Sequence, residues 1–273
     1  DKVHVSPAVE KLEVSAAYGG VQISGDFIGD TTYKVTVDAG VVDIHGQTLP
    51  KSFTTSQRLG PYYPSLSLAT AAKNPTVIEL AAKHEIDLKI AGLNTLEIDG
   101  IGFGVGDLDK YMSSGTGQKY AWPSAMDKPS LSKLFDVKAS RRKQQDFTVE
   151  LDAMLGKHNM AWLVARSNEI KEPDWDQSSY IWRAGITQTV MVTDLGIASA
   201  MDEDSGTIMV TRLSNGEPVA GATVTYSVSG SGKLWTGTTD VDGYAYPTYT
   251  RPERLSLFVI TAESGDDAAF LRL

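Results

Sequence analysis

Two dipeptides in the last third of the chain, Asn215-Gly216 and Asp242-Gly243, leave the backbone around them little freedom. Both pairs tolerate the positive φ that a tight hairpin turn demands, and strand-like runs flank them. Residues 207–211 (Thr-Ile-Met-Val-Thr) lead into the first turn. Pro218 suits a strand start or edge, where no ladder N–H is needed, and Gly221-Ala222 keeps the backbone slim before the alternating Val224, Tyr226 and Val228. This pattern predicts an antiparallel, immunoglobulin-like sandwich.

The rest of the chain reads the same way. Residues 3–5, 11–14, 21–23, 33–37 and 52–54 are expected as short strands, separated by turn signals at Tyr18-Gly19-Gly20, Gly29-Asp30 and His45-Gly46. Five strands in under sixty residues make a thin core, so this unit is expected to be the latter part of a domain or to lean on its neighbour. Residues 58–64 (Arg-Leu-Gly-Pro-Tyr-Tyr-Pro) read as a linker. Further strands are expected at 65–68, 77–80, 86–91, 95–104, 147–151, 162–167 and 187–192. Between them, 107–145 reads as an insertion with short helical pieces at 108–112 and 131–135 around a Ser/Gly-rich stretch, and with a basic cluster, Arg141-Arg142-Lys143. The fold class expected is all-β: tandem immunoglobulin-like sandwiches over 1–58, 59–189 and 190–273, with the 107–145 loop or short-helix insertion in the middle domain.

A length of 273 residues suits two or three such domains. The net charge of −9 argues against a nucleic-acid partner. The absence of Cys removes disulfides, thiolate metal sites and any cysteine nucleophile or thioester from this stretch. No apolar run approaches the roughly 20 residues of a bilayer-spanning helix, so no direct membrane contact is expected. The chain opens on Asp1-Lys2-Val3 without an initiator Met and already reads as a strand, as expected of an internal segment of a longer protein.

Each pattern that suggests chemistry has a plainer reading. Gly102-Phe103-Gly104-Val105-Gly106 lacks the lysine and hydroxyl of a phosphate loop and reads as a glycine-kinked strand end. Asp202-Glu203-Asp204-Ser205-Gly206 and Asp240-Val241-Asp242-Gly243 lack the closing carboxylate of an EF-hand, though Glu253 and Asp266 stand elsewhere as extra carboxylates; both read as Asx turns. His4, His45, His84 and His158 show no metal-ligand spacing. Ser229-Gly230-Ser231-Gly232 reads as a hairpin tip, not a nucleophile elbow. Trp122, Trp162, Trp175, Trp182 and Trp235, with Tyr62, Tyr63, Tyr180, Tyr244, Tyr246 and Tyr249, are weighed as a sugar platform against core and interdomain packing, which is preferred. The Arg141-Arg142-Lys143 cluster reads as a solvated loop. No catalytic, cofactor-binding or metal-ligating residue is assigned, and the chain is expected not to be an enzyme.

The turn motifs also carry a resemblance. Val192-Thr193-Asp194-Leu195-Gly196, the run from Gly216 through Pro218-Val219-Ala220-Gly221-Ala222 to Val224, Thr239-Asp240-Val241-Asp242-Gly243 and the closing 259–271 run with its Gly265-Asp266 turn are similar to a macroglobulin domain of the bacterial alpha-2-macroglobulins. Val5-Ser6-Pro7, Ile23-Ser24-Gly25-Asp26-Phe27 and the 33–49 stretch resemble an upstream immunoglobulin-like unit of that family. Residues 86–98 resemble a strand segment of the middle domain. Residues 148–166 match another only in part, because Lys157-His158-Asn159 stands where the family has Pro-Gly. The resemblance implies a scaffold fragment of a broad-spectrum protease inhibitor, which traps proteases after a bait segment is cut and bonds them through a thioester. Both of those parts are expected outside this chain. It implies target proteases as partners of the full-length protein, neighbouring macroglobulin domains as partners of the fragment, a periplasmic location, and a lipoprotein-like parent anchored to the inner membrane. Proline-bearing linkers and modest interdomain contacts are expected to let the domains pivot as bodies. The alternative is a cell-surface adhesin or carbohydrate-binding array, supported by the Trp175 to Trp182 stretch.

Overall fold

A computed structural model gives the coordinates; it describes all residues except 1, 18–19, 44, 70–74, 114–126, 171–184, 229–231 and 251–256. Strands dominate it, and their pairing closes within three successive stretches.

The first stretch holds β1 (Val3–Ser6), β2 (Glu10–Ala17), β3 (Gly20–Asp26), β4 (Thr31–Val37) and β5 (Phe53–Leu59). Three of them form a sheet in the order β1-β4-β5, and β2 pairs with β3 as a two-stranded ribbon. Several strands run longer than the apolar residues alone suggest. β5 is mostly polar (Phe-Thr-Thr-Ser-Gln-Arg-Leu), yet it pairs with β4 through to Leu59↔Thr31, so Arg58 and Leu59 belong to a strand and not to a linker. The core here is thin. Among the described residues of this stretch only Tyr33 is a buried large side chain, packed edge-on against Phe27. Leu12, Val14, Val21, Val42 and Phe53 are exposed.

The middle stretch holds β6 (Ser65–Leu68), β7 (Thr76–Glu79), β8 (Glu85–Ala91), β9 (Thr95–Phe103), a 3₁₀ turn (Val105–Asp107), α1 (Leu108–Ser113), β10 (Leu131–Asp136), β11 (Gln145–Glu150), α2 (Asp152–Leu155), β12 (Met160–Arg166) and β13 (Gly185–Thr193). A five-stranded sheet, β10-β9-β12-β13-β7, faces a three-stranded one, β11-β8-β6. Even-numbered residues of β9 and odd-numbered ones of β12 point inward, so Leu96, Ile98, Ala161 and Leu163 meet Ile86, Leu88 and Ile90 of β8. The expectation of a helical piece at 131–135 is wrong. Those residues form an edge strand paired along β9, because the spacing of Leu131, Lys133 and Phe135 also satisfies a period of two.

The last stretch holds β14 (Leu195–Met201), β15 (Gly206–Arg212), β16 (Thr223–Val228), β17 (Gly232–Thr238), β18 (Tyr244–Ala245), β19 (Phe258–Ser264) and β20 (Asp267–Arg272), in sheets ordered β14-β15-β18 and β17-β16-β19-β20. Gly216 and Gly243 both turn with positive φ, +76° and +78°. Ile208 and Val210 from one sheet pack against Val224, Tyr226, Ile260 and Phe270 from the other.

Candidate functional site

The outward face of the five-stranded middle sheet carries an apolar patch of its own. Phe103 on β9, Met160 and Trp162 on β12 and Met191 on β13 are buried, and they belong to one continuous hydrophobic cluster with Leu195, Ile208 and Phe270 of the last stretch. Tyr111 of α1 stacks on Phe103 with ring centroids 4.4 Å apart, extending the same cluster. Trp162 is therefore core.

A polar clamp sits at the edge of this seam. Asp267, the first residue of β20, is buried; its carboxylate accepts hydrogen bonds from the Thr193 hydroxyl at 2.7 Å and from the Asp194 N–H at 2.9 Å. Thr193 Oγ1 in turn accepts from the Leu195 N–H at 2.9 Å, which fixes the chain as it leaves β13. Asp194 turns the other way. Its carboxylate accepts from the Ser214 N–H at 2.8 Å, the main cause of its pKa lying below the ordinary carboxylate value, and its carbonyl accepts from the Leu213 N–H. Arg212 Nη1 lies 3.7 Å from Asp194 and 3.9 Å from Asp267, a cation between two carboxylates. Thr193-Asp194-Leu195-Gly196 and the Gly265-Asp266-Asp267 turn thus meet in space. The sequence marks both segments but gives no sign that they touch.

The other joint is built differently. The Gly29 N–H donates to the Arg142 carbonyl at 2.7 Å and the Tyr62 N–H to the Arg141 carbonyl at 2.7 Å. Arg141 Nε donates to the Tyr62 carbonyl at 3.0 Å, and the Tyr62 hydroxyl to the Phe27 carbonyl at 3.1 Å. Lys143 lies 3.8 Å from Glu10. The basic cluster is exposed, as a solvated loop would be, but its backbone and Arg141 hold the first stretch against the middle one. Beside these contacts lies a cleft of about 740 Å³, lined by Phe27, Leu59, Pro61, Tyr62, Tyr63 and Leu66 among others.

The remaining candidates resolve individually. Gly102 is not a kink: β9 runs through it to Phe103, and its missing side chain makes room for the α2 backbone at Met154 and Leu155. Asp240 Oδ1 accepts from the N–H groups of Asp242 and Tyr244, an Asx turn, and Asp202 Oδ1 accepts from the Glu203 N–H. His4 pairs with Asp38 and His84 with Asp152. Among the described residues no group of three or more His, Cys, Asp or Glu side chains is placed to hold a metal ion. Trp122, Trp175, Tyr180, Trp182, Ser229–231 and Glu253 lie outside the described residues. Of the other aromatics, Tyr62 and Tyr63 line the cleft, Trp235 packs on the last core, Tyr249 packs on Tyr226, and Tyr244 stacks against the exposed Tyr246. A charged triad escaped the sequence argument. Arg166, at the end of β12, binds Glu97 through two nitrogens (2.6 and 3.0 Å) and Asp99 at 2.7 Å, and Asp99 is 3% exposed. The clue was the placing of two acids at alternate positions of an otherwise apolar strand.

Comparisons with known proteins agree with the all-β fold. Residues 192–273, which open at the clamp, match the family model for the bacterial alpha-2-macroglobulin MG3 domain. No curated protein matches the chain by sequence. Among solved structures, the chain is similar to native Escherichia coli alpha-2-macroglobulin spanning domains MG0-NIE-MG1, with 15% identity and a TM-score of 0.54 over 99% of this chain and 85% of that one. A structure of the same protein spanning NIE-MG1 gives 16% identity and a TM-score of 0.55 over 77% and 97%. A Salmonella alpha-2-macroglobulin mutant gives 18% and 0.51, and there the chain covers only 16% of the other protein. At such identities the structural likeness is one of fold. Residues 192–273 therefore carry the sequence signature of a bacterial alpha-2-macroglobulin MG3 domain, on a chain whose fold is similar to a stretch of the Escherichia coli protein.

Proposed function

We propose that the chain is a structural segment of a bacterial alpha-2-macroglobulin, part of the frame that keeps bait and thioester apart until a protease cuts the bait. The observation that carries this is the unbroken apolar seam between the middle sheet and the stretch that matches MG3. A frame must hold its parts in fixed relation, and a buried seam with a satisfied polar clamp does so at little cost in accessible motion. The chain contributes no thioester, since it has no Cys. Its partners in this role are neighbouring macroglobulin domains directly and target proteases through the parent. The parent resides in the periplasm, anchored to the inner membrane.

The test uses the chain and its parent side by side. Alone, the chain leaves trypsin activity unchanged and takes up no methylamine; covalent capture of trypsin by the chain alone overturns the scaffold role. In the parent, Asp267→Ala leaves the rate of bait cleavage unchanged but lowers the fraction of trypsin retained. Retention equal to that of the unaltered parent argues against a framing role for the seam.

A further inference from the structure

The two joints differ in kind, and the difference predicts which parts of the chain move together. We propose that residues 60–64 are a pivot latched by the Arg141–Lys143 loop, about which the first stretch swings, while the middle and last stretches move as one body. Proline-bearing linkers alone would let every joint pivot alike; the structure separates them. This inference stands on the two joints and not on the function proposed above.

At the second joint, motion requires breaking an apolar cluster that includes Phe103, Met160, Trp162, Leu195 and Phe270, and uncovering the Asp267 carboxylate from its donors Thr193, Asp194 and Asn159. Packed interiors are bistable rather than continuously deformable, so this joint resists small displacements. At the first joint, no buried cluster among the described residues includes residues from both sides. The contacts are main-chain carbonyls and N–H groups of Gly29, Tyr62, Arg141 and Arg142, the Tyr62 hydroxyl, and the exposed side chains of Arg141, Arg142 and Lys143, which reach Tyr62, Gly29, Thr31 and Glu10. Such groups exchange protein partners for water with small net change. The cleft beside the pivot supplies space for the swing, and a β-carbon on Gly60 would meet no atom within 4 Å. Gly29 sets the closed position. A β-carbon there would stand 3.0 Å from the Arg141 carbonyl oxygen, 3.1 Å from that of Gly60 and 3.2 Å from the Tyr62 ring, so a side chain wedges the latch without entering a core.

The chain has no cysteine, so spin-label pairs can be placed at will for pulsed-EPR distance measurements. Ser56→Cys with Glu150→Cys reads the first joint, and Glu150→Cys with Glu203→Cys the second; all three positions are exposed. The expected result is a broad or two-peaked distance distribution for the first pair and a single narrow one for the second. Gly29→Val shifts the first distribution toward the open population and leaves the second unchanged. Tyr62→Phe, which deletes one hydroxyl and adds no bulk beside the thin first core, serves as the second variant and gives a smaller shift of the same sign. Equal widths for the two pairs, or a first distribution that neither variant alters, overturns the proposal.

Discussion

The hydroxyl of Thr193 and the carboxylate of Asp267 lie 2.7 Å apart across 74 residues of sequence, where the middle sheet hands over to the last sandwich. Thr193 is fully buried and Asp267 is 8% exposed, so neither has water to replace the other. Asp267→Ala removes the acceptor of the buried Thr193 O–H and of the part-buried Asp194 N–H, and a buried donor left without its acceptor costs about 1–3 kcal/mol. Thr193→Val keeps the shape but leaves the Leu195 N–H without its acceptor, a loss of about 1–2 kcal/mol. Urea titration checks both: the midpoint falls with the slope unchanged. Asp266→Ala, one residue away on the exposed turn, should leave the midpoint within experimental error. An equal drop for Asp266→Ala and Asp267→Ala removes the clamp from the account.

Gly102 and Gly104 look alike in sequence and differ in what they face. A β-carbon on Gly102 points into the backbone of α2, at the carbonyls of Met154 and Leu155, and backbone cannot yield as a side-chain tip can. Gly102→Ala is therefore expected to cost about 3 kcal/mol, the upper part of the overpacking range. At Gly104 the nearest atom is His158 Nδ1 at 3.6 Å, an ordinary contact, so Gly104→Ala should change stability by less than about 0.5 kcal/mol. Thermal unfolding of the two variants side by side decides it, and a Gly102→Ala protein as stable as Gly104→Ala refutes the close approach.

What the sequence made legible was local. Asp242-Gly243 and Asn215-Gly216 name their turns because the φ they need is carried by the residues themselves, and alternation named β8, β9 and β15 because their buried sides repeat every second residue. β10 was not legible as a strand, since Leu131 and Phe135 fit a helix turn as well as a strand face and only pairing with β9 decides. α2 is four residues long, too short for a periodic signal. β5 is an edge strand whose residues are mostly Thr, Ser and Gln, so it lacks an apolar face to announce it. The joints were least legible of all. Arg141 and Arg142 act chiefly through their carbonyls, which every residue possesses, and Asp267 reaches Asp194 across a separation that no local rule addresses.

The Arg166 triad sets one cation against two carboxylates on a largely covered sheet face. The forked geometry, with two nitrogens on Glu97 and one shared with Asp99, is specific to a guanidinium. Arg166→Met leaves Asp99 charged and buried, and breaking a buried pair from one side costs about 3–5 kcal/mol. Arg166→Lys keeps the charge and loses the fork, so it should fall between the two. The decisive measurement is the double variant: adding Asp99→Asn to Arg166→Met should recover part of the loss, because the uncompensated charge is then gone. Strict additivity of the two losses shows that Arg166 and Asp99 do not depend on each other.

His84 sits before β8, where Nδ1 lies 2.7 Å from Asp152 Oδ1 and Nε2 lies 3.2 Å from the Leu80 carbonyl. The hydrogen bond with Asp152 is the main cause that lifts its pKa above the ordinary 6.5, with the Leu80 carbonyl adding to it and partial burial opposing. A folded-state pKa above the unfolded one means that the folded form binds its proton more tightly. The stabilisation is therefore fully present below about pH 6.5, the ordinary histidine value, and fades as pH rises through the lifted folded value. Asp152 is well exposed, so the gain is at most about 1 kcal/mol. Urea midpoints of the unaltered protein and His84→Gln, compared at pH 5.5 and 8.5, should differ more at the lower pH. Asp152→Asn should abolish most of that difference, since it removes the carboxylate that holds the proton. A gap between unaltered and His84→Gln proteins that grows toward alkaline pH is the opposite sign, and it rules out the protonated pair as a stabilising contact.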